Sequence, residues 1–274
     1  MPMQFNLFQR IAEADAEEAL VYSNELECFA IHRQFSLRTL KSGHRQQIRD
    51  VCREAMDSPP TGVAKLLDYS YDANRASGYF EVLPGQRLDS LVGLEGPLSI
   101  SNWLDLAERM VETSINLQKH PDLVISWLPG NVNAWKDDDG NLQLAIAAFD
   151  VAEPEAPAVR ESLVVGNLAT LWFFMLTGDA DISYYSLVGW DFDVVSEFRG
   201  IELLAGCFEA LFHPQPSQRV STLAETQQLL ARIRDVVGKS EFRLRSSGLS
   251  VADLGASRGL VHIAPRQTPE PSGF

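Results

Sequence analysis

Residues 117–150 read LQKHPDLVISWLPGNVNAWKDDDGNLQLAIAAFD. Two extended stretches lie inside them, NVNAW and LQLAIAAF, flanking KDDDGN. Asp139-Gly140 tolerates the positive backbone angles that a tight hairpin turn needs, so the stretch predicts a hairpin. Ahead of it, Val124, Ile125, Trp127 and Leu128 make a loop that is apolar rather than polar, closed by Pro129 and Gly130. Helical stretches lie on both sides.

Toward the N-terminus, Trp103, Leu106, Ala107, Met110, Val111 and Leu117 fall on one helical face from Ser101 to an end at His120. LPGQRLDSL before them is a turn with a short helix. Earlier still, FNLFQRIA, ALVYSN and LECFAIHRQF carry strand-like residues. HRQQIRDVCREAMDS places Ile48, Val51, Cys52, Ala55 and Met56 at helical spacing, and Pro59 and Pro60 stop that helix. KLLDYSY and GYFEVL are two more strands around a DANRASG turn. The order is three strands, a helix and two strands. Toward the C-terminus, AEPEAPA is a short linker, followed by helices over Glu161–Leu176, Ile201–Phe212 and Thr222–Val237. Thr222 and Glu225 have capping-box spacing. After Gly238 no period is sustained. That end carries Lys239, Arg243, Arg245, Arg258 and Arg266, and reads as a flexible basic tail or linker, or as an arm packed back onto an acidic body.

The chain has 274 residues, 45% of them hydrophobic, which is enough for one large core or two smaller ones. Its formal net charge of -14 repels phosphate backbones and anionic lipid, so neither nucleic acid nor a membrane surface is expected as a partner. Cys28, Cys52 and Cys207 lack the spacing of a zinc knuckle and fit a reducing cytoplasm. The opening residues are acidic where a signal peptide needs a basic flank. Leu163–Leu176 is too short to span a bilayer comfortably and reads as a buried core helix.

The order of elements, together with several local motifs, resembles a protein kinase from Phe5 to Val237, and bacterial Ser/Thr kinases in particular. CFAIHR resembles the strand that carries the ATP-binding lysine, with His32 at the lysine position. CREAM resembles the helix with the partner glutamate, Glu54. VISWLPGN resembles the catalytic loop and AAFD the metal loop. FHPQPSQRVST resembles the turn before the last helix, with Arg219 at the usual arginine. The resemblance implies an α+β, two-lobed protein-kinase-like fold. Residues 1–83 would form a small antiparallel-sheet lobe with one helix, 84–238 a larger, mainly helical lobe, and 239–274 the tail.

It also implies that the chemistry has been dismantled. Phosphoryl transfer needs charge at fixed places. AEADAEEA puts Glu13, Asp15, Glu17 and Glu18 where a glycine-rich loop would cover phosphates. His32 is mostly neutral at pH 7 and short for a lysine's role, although a His32–Glu54 hydrogen bond could serve as a strut. Ser126 replaces the general base and Leu128 the second lysine. Asn131 alone keeps a metal-ligand type. Ala148 stands where the magnesium carboxylate belongs, with Asp150 two residues late. Val164 replaces an aspartate, and either Glu155 or Glu161 is a candidate partner for Arg219. These positions imply no catalytic residue, no metal and no cofactor. The expected function is a pseudokinase acting as a protein-binding scaffold or allosteric regulator. The alternatives are an atypical nucleotide-binding protein or transferase with a rearranged cleft, in which His32 could act as an unusual base, and an unrelated α+β protein.

Overall fold

A computed structural model describes residues 5–12, 18–35, 45–71, 76–151, 156–178, 190–192, 199–213, 215–246 and 263–265. It shows a mixed α and β protein with a five-stranded antiparallel sheet and six helices among the described residues. The chain divides into two compact units, one drawn from Met1–Leu88 and Glu112–Ala156, the other from Asp89–Val111 and Pro157–Phe274.

In the first unit, β1 (Phe5–Ala12), β2 (Glu18–Ser23), β3 (Cys28–Gln34), β4 (Leu66–Tyr71) and β5 (Ala76–Glu81) form the sheet in the order β1-β2-β3-β5-β4. Helix α1 (Arg45–Asp57) packs against β4. It buries Ile48, Val51, Cys52 and Ala55, the spacing that keeps side chains on one helical face. Strand β5 begins at Ala76, inside the stretch expected as a turn. One sheet face carries Phe35 and Phe80, which meet Phe149 with ring centroids 6.2 and 5.1 Å away. Gly78 makes this possible, since a Cβ there would lie 2.7 Å from Phe80 and 2.8 Å from Phe35.

The hairpin is present as β8 (Val132–Lys136) and β9 (Leu142–Ile146), joined on the β8 side by β6 (Gln86–Arg87). Asp137 organises its turn, accepting from the backbone N–H groups of Asp139 and Asn141 and from the Gln143 side chain. Its carboxyl is held below the usual aspartate range, chiefly by the Asn141 N–H. Gly62 and Ala64 stitch β9 to the loop after α1 through two backbone bonds to Ile146. A two-residue pair, β7 (Leu123–Val124) with β10 (Asp150–Val151), ties the apolar loop to the end of the hairpin.

The second unit is helical at its core. It takes all but the first residue of short α2 (Leu88–Glu95) and, up to Val111, the larger part of α3 (Ile100–Leu117). Trp103, Leu106, Ala107, Met110 and Val111 are buried as their spacing predicts. Helix α4 runs Pro157–Thr177. It starts four residues earlier than expected because proline fits the first helical position, where no N–H bond is lost. By length and composition the stretch Pro157–Leu176 passes for a membrane span, with mean hydropathy 1.3. Within the protein it is a core helix, with Val165, Leu168, Ala169 and Leu171 through Met175 buried. Trp172 meets Trp103 edge-on at 6.1 Å and donates to the Met110 sulfur at 3.3 Å.

Helix α5 (Arg199–Leu211) buries Leu204, Cys207, Phe208 and Leu211. Helix α6 (Leu223–Ser246) buries Leu223, Thr226, Leu230 and Ile233. It continues past Gly238, where the pattern had suggested a stop. Within the basic C-terminal stretch, β12 (Ile263–Pro265) pairs antiparallel with β11 (Trp190–Phe192).

Candidate functional site

Cross-strand register decides which β3 side chains come together. Arg33 lies opposite Glu18 on β2 and opposite Gly78 on β5, while His32 lies opposite Ala19 and Tyr79. Successive strand residues point to opposite faces. Arg33 therefore shares its face with Phe35, and His32 goes to the other face, where its ring centroid is 5.2 Å from that of Tyr79. Arg33, one residue after His32, is the β3 side chain that turns toward Phe35.

The Arg33 side chain is only 10% exposed and is the hub of a polar cluster. Nη1 donates to Asn131 Oδ1 at 2.9 Å and to Glu18 Oε1 at 3.3 Å. Nη2 donates to Asp150 Oδ2 at 3.3 Å. A buried guanidinium needs such partners, because desolvating a charge without compensation costs several kcal/mol. Asn131 sits in a 3-10 turn (Pro129–Asn131) and is itself buried. Its Nδ2 donates to the Ser126 carbonyl at 2.9 Å and the Ala148 carbonyl at 3.0 Å. One amide thus holds the apolar loop, the end of the hairpin and Arg33. Among the described residues, Arg33 Nε and Asp150 Oδ1 are buried without a hydrogen-bond partner.

Among the positions singled out in the sequence, Asn131 and Asp150 meet in this cluster. Ser126 and Ala148 enter it through their backbone carbonyls, and the Ala148 side chain is fully buried. Leu128 is 61% exposed, and its carbonyl accepts the Asn131 N–H. Glu54 Oε1 lies 3.5 Å from His120 Nδ1. Of the acidic stretch, Glu18 pairs with Arg33, while Glu13, Asp15 and Glu17 lie outside the described residues. Arg33 was the residue that motif matching missed. Period-two alternation with the apolar Phe35 was the signal for it.

In the second unit, Arg219 donates to the His213 carbonyl at 3.0 Å. Glu161 accepts the Leu223 N–H at 2.8 Å, at the start of α6. Glu155, the other candidate partner of Arg219, lies outside the described residues. Cys52 and Cys207 have their thiol pKa pushed up to about 12 by burial, so neither is a reactive thiolate. Among the described residues, no three His, Cys, Asp or Glu side chains gather as a metal site would require.

What the cluster can do chemically follows from its charges. Two carboxylates and an amide oxygen surround one permanent cation. Such an arrangement neutralises the carboxylates and can present a guanidinium edge to an anion, but it offers no carboxylate free of positive charge to act as a base. No family model matches the chain, and no curated protein matches it either.

Proposed function

We propose that this chain is a protein-kinase-like domain that has lost phosphoryl transfer and acts as a protein-binding scaffold or allosteric regulator. The observation that carries the proposal is Arg33. Asn131 and Asp150 are the two oxygen donors that the kinase resemblance would assign to magnesium, and the Arg33 guanidinium donates to both, at 2.9 and 3.3 Å. A metal ion placed among the same oxygens would meet a fixed positive charge. The side chain acts as an internal cation in the metal's stead. Ala148 at the metal-carboxylate position and Ser126 at the base position support the same reading, as does the element order of three strands, a helix, two strands and then helices around a hairpin. Free thiols and the acidic surface support a cytoplasmic setting with protein rather than nucleic-acid or membrane partners.

One observation favours the second reading, an atypical nucleotide-binding protein or transferase. Arg33 is a permanent cation where His32 would not have been, and Arg33 Nε and Asp150 Oδ1 retain unused bonding capacity. A thermal-shift titration separates the two. Ligand that binds only the folded state raises the melting temperature, and a site filled to about 100 times its Kd adds about 2.7 kcal/mol. With millimolar ATP or ADP, with and without Mg²⁺ or Mn²⁺, the scaffold proposal expects an unchanged melting temperature. A metal-dependent rise of several degrees would overturn it in favour of the nucleotide reading.

A further inference from the structure

Isolated apolar side chains on a surface are ordinary, but contiguous ones mark interaction sites. In the first unit three of them are contiguous and a fourth is near in register. Tyr22 on β2 lies opposite Phe29 on β3, with ring centroids 5.1 Å apart. The Phe8 ring of β1 meets Phe29 edge-on at 5.2 Å. Val82 directly follows Glu81, the last residue of β5, whose partner Ala30 is the neighbour of Phe29. Phe8, Phe29 and Val82 are 65%, 42% and 47% exposed. Three strands, with the residue that follows a fourth, thus present a row of half-buried to exposed apolar side chains at one end of the sheet.

Two features select what covers it. Strands β1 and β4 are the sheet edges; the pairing of β1 with β2 shifts register between Leu7 and Gln9 and again between Arg10 and Ala12, and that of β4 with β5 between Leu66 and Asp68. Such bulges interrupt the row of donors that an added strand needs. The ligand therefore lies across the face and does not extend the sheet. The turn joining β2 to β3 follows the Ser23–Cys28 pair, which is one rung beyond Tyr22–Phe29, and its exposed residues include Glu25 and Glu27. Carboxylates beside an apolar row favour a ligand with flanking cations and disfavour both anionic lipid and a second copy of a chain with net charge -14.

We infer that the Phe8–Tyr22–Phe29–Val82 row docks a segment of a partner protein in which apolar side chains are flanked by Lys or Arg. The inference rests on the protein-binding part of the proposed function and is independent of the kinase-like part. Fluorescence anisotropy on the full chain tests it with three short labelled peptides: one of Leu and Lys spaced by Ser, one with the Lys changed to Glu, and one with the Leu changed to Ser. The Leu/Lys peptide is expected to bind at least about tenfold more tightly than either control. Phe8→Ser and, separately, Phe29→Ser are expected to remove the preference for Leu over Ser. Glu25→Gln with Glu27→Gln is expected to remove the preference for Lys over Glu. Melting curves confirm that each variant folds, and Phe8 is exposed enough that its substitution leaves the core intact. Equal affinity for all three peptides, or unchanged preference in the Phe8→Ser and Phe29→Ser chains, would overturn the inference. So would a dimer in sedimentation that Phe8→Ser abolishes, since the occupant would then be a second copy. Nucleotide titration reads the kinase-like part separately, so either idea can fail alone.

Discussion

Arg33 and His32 are neighbours that the pleat sends to opposite faces of β3, and only Arg33 meets Glu18, Asn131 and Asp150. Matching a motif by residue type alone had put the lysine's counterpart at His32. Alternation picks out the face of the apolar Phe35 as the buried one, and Arg33 shares that face. Asn131 and Asp150 were legible as polar survivors in an apolar stretch. Their sharing of Arg33 was not, because the partners lie 98 and 117 residues away from it and no local pattern encodes that distance. The geometry makes a prediction for the residue itself. Arg33→Met leaves Asp150 and Glu18 without their cation, and breaking a buried pair from one side costs about 3 kcal/mol. Urea denaturation measures the loss as a lower midpoint with an unchanged slope. Asp150→Asn added to Arg33→Met should restore part of it, because the uncompensated charge is gone. Additive losses in the double variant would show that the two side chains are not coupled.

At the scale of elements, the start of α6 was the most readable feature. Thr222 Oγ1 accepts the Glu225 N–H at 3.2 Å, and Glu225 Oε2 accepts the Thr222 N–H at 3.3 Å, the reciprocal pair expected from their spacing. Thr222→Ala should cost about 1 kcal/mol at neutral pH. The Glu225 carboxyl is held below the usual glutamate range, first by the Thr222 hydroxyl and then by the Ser221 N–H. A depressed folded-state pKa stabilises above the unfolded value, and that contribution is lost as pH falls through the folded one. The difference between wild type and Thr222→Ala should therefore shrink in denaturation curves taken at about pH 3 compared with pH 7. A gap that stays constant would assign the cost to the threonine alone. The far end of α6 was less readable. No period is sustained after Gly238, which put the end of the helix at Val237, and the helix nevertheless runs to Ser246. Pro157 misled in the opposite direction, having the look of a linker residue while opening α4.

At the scale of the molecule, composition sufficed for a globular chain with ample core and periodicity for its mixed α and β content, yet neither for the pairing of residues 112–156 with 1–88 in one compact unit. That pairing depends on contacts such as Ile146 with Gly62 and Ala64, which bring distant segments together. Charge is the property that composition does determine for the whole chain, and it has a thermodynamic consequence. Thirty-seven acidic residues against 23 basic ones make the folded state work against its own repulsion. Screening relieves it, since the Debye length falls from about 10 Å at 0.1 M salt to about 3 Å at 1 M. The opposing effect is loss of attraction in ion pairs. The Arg33 cluster is buried and screened little, whereas Arg234, which clamps Glu108 and Asp105, is 38% exposed and weakened more. One exposed network contributes about 1 kcal/mol at most, less than the relief expected from a net charge of -14. The melting temperature should therefore rise as NaCl increases from low salt to about 0.5 M, by about 2–4 °C for each kcal/mol of repulsion removed. A fall instead would mean that exposed pairs such as Arg234–Glu108 outweigh the repulsion, and Arg234→Ala should then remove the salt dependence.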